Sequence, residues 1–187
     1  MVPDAAQLAV VPERAHLKLI GYPELGGARP VNQRVSGLSR SAISVTIQIK
    51  ILGAADVDLL SNLAPGTFDD PLDPATTATF LADERHHLAV AVDDGVIVGF
   101  ASAVHYVHPD KPRPELWINE VGVAPTYQGH GVGKAILASL LDLARDLDCT
   151  EAWVLTNRKN APAMKLYGSL GGEEGSTDDV MFTFRLP

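Results

Sequence analysis

Between Leu116 and Leu147 an apolar strand runs into a glycine-rich turn and on into an amphipathic helix, the most informative stretch of the chain. Leu116, Trp117, Ile118, Val121 and Val123 supply the strand. The turn is Gln128-Gly-His-Gly-Val-Gly133, after which Ile136, Leu137, Leu140, Leu141, Ala144 and Leu147 recur at helical spacing on one face. A strand, a glycine turn and a helix start together present free backbone N–H groups to an anion, usually a phosphate. Glycine permits the positive φ and the close backbone approach that this requires. Single positions exclude two familiar phosphate loops. A Walker A loop needs Gly at 128 and Ser or Thr at 135, where this chain has Gln128 and Ala135. The dinucleotide fingerprint needs Gly at 134, and the residue there is Lys134.

The pattern that remains, Gln128-x-x-Gly131-x-Gly133, resembles the acetyl-coenzyme A pyrophosphate loop of the GNAT superfamily of N-acetyltransferases, whose usual form is Arg/Gln-x-x-Gly-x-Gly/Ala. Taken alone, the turn also reads as one whose glycines merely permit packing. A second segment, Asn160-Ala-Pro-Ala-Met-Lys-Leu-Tyr167-Gly-Ser-Leu-Gly171, resembles the C-terminal motif of the same superfamily. Its residues also make a capped amphipathic helix. Asn160 suits the N-cap and Pro162 the first turn. Ala163, Leu166, Tyr167 and Leu170 share a face, and Gly171-Gly172 stop the helix. The two motifs stand in the family's order, separated by a helix and a strand over Ala152–Thr156. The resemblance covers about residues 42–187. It implies an α/β (α+β) GNAT-like fold, a mixed central sheet flanked by helices.

Composition narrows the function. With 187 residues, 46% of them hydrophobic, one domain with a real core is expected. The formal charge of −8, from 23 acidic against 15 basic residues, argues against generic nucleic-acid binding. It suits a cationic substrate, or serves as solubilising charge. One cysteine, Cys149, excludes an internal disulfide and a cysteine zinc cluster; it reads as a small buried hydrophobe. No histidines pair at a metal-binding helical spacing, so no metal is expected. No apolar run approaches the ~20 residues of a membrane span. With no secretory pattern at the N-terminus, a cytoplasmic address is expected.

Along the chain, Met1–Arg40 carries Pro3, Pro12, Pro23 and Pro30 without sustained periodicity, and reads as an extension, partly disordered. An N-acetyltransferase domain is expected over 41–187. Alternating Ile43, Val45, Ile47, Ile49 and Ile51 predict a half-buried strand. Short helices are expected at Asp56–Leu63 and Pro74–Ala82. A hairpin is expected from Leu88–Val92, Asp93-Asp94-Gly95 and Val96–Val107. Glu115–Val123, the long helix to Leu147, and a last strand at Val180–Leu186 complete the prediction.

Acetyl transfer to an amine requires that a thioester be held and polarised, an ammonium deprotonated and a thiolate reprotonated. The resemblance assigns the holding to main-chain groups of Gln128, Gly129, His130, Gly131, Val132, Gly133 and Lys134 against the pyrophosphate. Val121 and Val123 would pair with the pantetheine arm, and Asn160 would bond the same arm. A bulge in that strand would aim the N–H of Val121 or Gly122 at the thioester oxygen. Tyr167 matches the family residue near the sulfur and would protonate the thiolate; otherwise it is a packed core tyrosine. Glu120, an acid inside an apolar strand, is the expected base, with partial burial raising its pKa. It could equally anchor the ammonium, or pair structurally with Arg or Lys.

The finer resemblance is to the GNAT-type aminoglycoside 3-N-acetyltransferases. It rests on Leu116–Val123, Ala161–Tyr167 and the ending Glu173–Phe184. Gln128, where those enzymes tend to have Arg, and the N-terminal extension are departures. Polycationic acceptors need carboxylates, and Asp69, Asp70, Glu84, Glu120, Asp178 and Asp179 are the candidates. A polyamine, an amino acid or a protein N-terminus is the alternative acceptor. A non-catalytic acyl-CoA sensor is the alternative of a different class. Family members are often homodimers.

Overall fold

Six strands pair in chain order into one sheet in the computed structural model, which describes residues 34–40, 43–176 and 178–186. They are β1 (Arg34–Arg40), β2 (Ile43–Leu52), β3 (His86–Asp93), β4 (Val96–Tyr106), β5 (Glu115–Val123) and β6 (Ala152–Val154). Neighbours from β1 to β5 are antiparallel, and β5 and β6 are parallel. The helices are α1 (Pro74–Ala82), α2 (Val132–Asp146) and α3 (Ala161–Gly168), with a 3-10 helix over Ala54–Ser61. The mixed sheet flanked by helices is the expected fold.

β1 lies inside the stretch read as an extension. It runs antiparallel to β2, with Arg34 opposite Gln48 and Arg40 opposite Ile43, so the sheet begins before Ala42. A register break between Ser36 and Ser39 interrupts its alternation, which hides it from a period-two reading. Residues 1–33 lie outside the described residues.

The β3–β4 hairpin turns on Asp94 and Gly95, both at positive φ (+48° and +77°), the geometry that suits the right-handed twist of the strands. On β3, Ala89 and Ala91 face one way and Leu88, Val90 and Val92 the other. The first face is floored with small residues: Ala89, Ala91, Ala101 and Ala103 are all fully buried. Gly99 lies there too, where a Cβ would come within 3.0 Å of Ile136 Cδ1. That floor lets α2 lie close and bury Val132, Ile136, Leu137 and Leu140. The second face packs Leu88, Val90, Ile97 and Phe100 against the 3-10 helix through Leu60, against α1 through Phe80 and Leu81, and against the loop between them through Phe68.

Two expectations fail at the C-terminal side. β6 stops at Val154, two residues short of Thr156. The strand expected at Val180–Leu186 does not form. Its Val180, Met181, Phe182, Phe184 and Leu186 are 74–87% exposed. Alternation supplies the propensity for a strand, but a strand also needs an edge, and this segment meets none among the described residues.

Candidate active site

β5 bends at a bulge. On β4, Ser102 pairs with Glu120 and the next residue, Ala103, pairs with Ile118, so Asn119 is the extra residue. On the other side of β5 the ladder to β6 ends at Ile118–Val154. From Asn119 to Val123 the main chain therefore has no partner on β6. This is an opening that an extended guest can enter like an added strand. Val121, Gly122 and Val123 line it, half-buried.

The same strand leads through a 3-10 turn, Pro125–Tyr127, into the glycine turn. Gln128 Nε2 donates to the Val123 carbonyl at 2.9 Å, closing the bend. The Tyr127 hydroxyl donates to Asp93 Oδ2 at 2.6 Å and ties the bend to the hairpin. Gly129 and Gly131 stand at φ +76° and +83°, with no heavy atom near the place of a missing Cβ. Gly131 is the N-cap of α2 and brings no capping side chain. The N–H groups of Val132, Gly133 and Lys134 are the orphan donors of a helix start, with the positive end of the macrodipole behind them. A helix start of this kind suits an anion. The Val132 side chain is buried in the core, so that residue can offer only its N–H. His130 is exposed. Lys134 Nζ donates to the Ser169 carbonyl at 3.1 Å, linking the turn to the end of α3.

Asn160 caps α3, accepting from the Ala163 N–H at 3.3 Å. That use of its oxygen leaves the side-chain NH2 for the expected contact with a pantetheine arm. Tyr167 is half-buried against the core, and burial pushes its phenol above the ordinary value. It is therefore protonated at neutral pH, as a proton donor must be.

On the opposite face of the sheet a cleft of about 530 Å³ opens beside the bulge. Its floor is apolar: Leu60, Leu88, Phe80, and Phe68 stacked on Phe100 with ring centroids 3.7 Å apart. Its polar lining includes Asp69, Asp70, Asp73, Glu120, Thr67 and Ser102 and, among the described residues, no Lys or Arg. Gly122 is essential to this geometry. A Cβ there would stand 2.5 Å from both the Phe100 ring and the Thr67 carbonyl, so only glycine lets the Thr67 loop cross the strand.

Of the expected acceptor carboxylates, the fold brings Asp69, Asp70 and Glu120 to the cleft. Glu84 is not among its lining residues; it is exposed in the turn after α1. Asp178 and Asp179 are also absent from the lining and exposed, carried away with the unpaired C-terminal segment. Glu120 is exposed and not partly buried as expected, because its side chain stands on the open wall. Asp73 was missed. It reads as a helix cap, and it is one, accepting from the Thr76 N–H at 2.7 Å. That hydrogen bond holds its carboxyl below the usual range, so it adds a firm negative charge to the rim. The three cleft phenylalanines were also missed, since isolated aromatics look like any core residue.

Residues 57–171 match the profile of the acetyltransferase (GNAT) family. The chain belongs to the GNAT family. Its acetyl donor is acetyl-CoA, and its activity is acetyl-CoA-dependent acetyl transfer. The GNAT chain is similar to the N-alpha-acetyltransferase RimI of Mycobacterium tuberculosis, 32% identical over 67% of this chain and 77% of the relative. It is similar also to an aminoglycoside N(6')-acetyltransferase type 1 of Stenotrophomonas maltophilia, 34% identical over 64% and 77%. An aminoglycoside acetyltransferase from an uncultured soil metagenomic sample, solved with sisomicin, shares the fold. Its TM-score is 0.64 at 20% identity, over 75% of this chain and 97% of that one. The relative from Stenotrophomonas maltophilia and a second one from Salmonella typhimurium are aminoglycoside N(6')-acetyltransferases, so the resemblance stands at the GNAT level and not specifically at the 3-N enzymes.

Proposed function

We propose that the protein acetylates a primary amine of a polycationic small molecule, an aminoglycoside, by direct attack in a ternary complex. The observation that carries this reading is the cleft at the β5 bulge, whose charged lining, among the described residues, is Asp69, Asp70, Asp73 and Glu120 with no cation. Four carboxylates in one recess favour an acceptor with several ammonium groups. Glu120, through a water, takes a proton from the ammonium. The free amine attacks the thioester carbonyl carbon while the N–H of Val121 or Gly122 stabilises the developing oxyanion. The C–S bond then breaks, Tyr167 gives its proton to the departing thiolate, and the second proton lost by the acylated nitrogen restores the phenol. Acetyl-CoA is held by the N–H groups from Gln128 to Lys134 and by the unpaired edge of Val121–Val123.

The apolar floor of Phe68, Phe80 and Phe100 favours a second reading, in which the acceptor is a peptide N-terminus with an apolar side chain. Thiol release from acetyl-CoA separates the two, measured across aminoglycosides, spermine and short peptides. Turnover of aminoglycosides with acylation of one amine is the expected result, and mapping the product gives the position, 3 or 6'. Turnover confined to peptides or spermine would overturn the aminoglycoside reading.

A further inference from the structure

We propose that the stacked pair Trp117–Trp153 is a second acceptor subsite, taking the part of a polycationic acceptor remote from the reacting amine. This rests on the reading of the cleft as an acceptor site. The placement follows from register. Trp117 pairs with Val104 and Glu120 with Ser102, so the two side chains stand opposite β4 residues two apart, on one face of the sheet. Their rows are separated by about 7 Å, two strand residues. That is within the span of one molecule of two or more rings. Trp153 pairs with Trp117 from β6, and the indoles lie parallel, centroids 5.1 Å apart and planes 4° apart.

The pair is held rigidly from behind. Trp153 Nε1 donates to the Tyr106 hydroxyl at 2.8 Å, and that hydroxyl donates to Glu115 Oε2 at 2.8 Å. Glu115 is buried and takes Lys111 on its other oxygen. In front the pair is open. Trp117 is 38% exposed, and Leu155, two residues beyond Trp153, is 56% exposed. A locked indole surface on the same sheet face as the carboxylate of Glu120, two strand residues away from it, is suited to a ring that carries an ammonium. Cation–π attraction binds the charge and the flat apolar surface receives the ring.

The chain has only two tryptophans, and both belong to this pair. Intrinsic tryptophan emission therefore reports this surface and nothing else. Tobramycin titrated into the Glu120→Gln protein, which retains the pair, is expected to change the emission saturably. In turnover, Trp117→Leu is expected to raise the KM for tobramycin about 5- to 30-fold, with kcat and the KM for acetyl-CoA within about twofold. A single-ring methyl aminoglucoside is expected to show no such change, and Trp117→Phe to restore most of the loss. If wild-type enzyme acetylates tobramycin with no emission change and no KM shift in Trp117→Leu, the subsite falls and the acceptor reading stands. If tobramycin is neither bound nor acetylated, both fall. An emission change with protein concentration alone would show that the surface meets a second copy, which also overturns the proposal.

Discussion

The sheet face that receives α2 is floored with Ala89, Ala91, Gly99, Ala101 and Ala103, whereas the opposite face carries Phe100 under Phe68 and leaves a cleft. Small side chains let a helix lie close along its whole length, and that closeness fixes the start of α2 and the glycine turn before it. Large rings on the other face cannot interdigitate so completely, and the space they leave is lined by carboxylates from the adjacent loop. One face is therefore sealed, and in the proposed reading it positions backbone donors for the carrier. The other is open and, in the same reading, positions side chains for the acceptor.

If the faces divide the work in this way, variants should separate the two substrates. The largest effect is expected from Glu120→Gln, which should lower kcat about 10²- to 10⁴-fold with the affinity for CoA unchanged. Calorimetry with CoA beside steady-state rates checks this, and a matching loss of both would break the division. Gly122→Ala comes next. Its Cβ would meet Phe100 and the Thr67 carbonyl at 2.5 Å, so about 1–3 kcal/mol of stability should be lost, with a higher acceptor KM. Denaturant midpoints and KM values test both halves.

A pH experiment probes the sealed face. Burial, and then the neighbouring His105, pull His87 down to about 4, while the unfolded chain takes its proton near 6.5. The contribution of neutral His87 is full above pH 6.5 and is lost as pH falls toward 4, by up to about 1.4 kcal/mol per pH unit. His87→Gln should flatten that slope in thermal melts between those limits. The smallest effect is expected from Gly131→Ala. At φ +83° with open space around it, alanine brings only backbone strain of about 1 kcal/mol. It should weaken CoA binding while the acceptor KM holds.

What could be read from the residues follows the same division. The carrier side is local in sequence. The helical spacing from Ile136 to Leu147, the glycine turn and the Asn160 cap each lie within a short window, and each forms where expected. The hairpin at Asp94-Gly95 was legible for the same reason. The acceptor side is assembled from the Thr67–Asp73 loop, α1, β4 and β5, and no window contains it. Asp69 and Glu84 look equivalent along the chain, yet one lines the cleft and the other sits in the turn beyond α1. The Asn119 bulge leaves no mark in composition, since it shows only as a mismatch between two strands. β1 was hidden by its broken register, and Val180–Leu186 misled because pattern records what a segment could pair with, not whether it does.

That last segment has a practical consequence. Among the described residues β6 ends the sheet with an unpaired side, and the same molecule carries a seven-residue, mostly greasy ribbon with the pattern such a side accepts. Each copy thus holds both halves of a join. Light scattering against protein concentration tests whether the halves meet between copies. Rates per molecule should therefore be compared at matched, low enzyme levels.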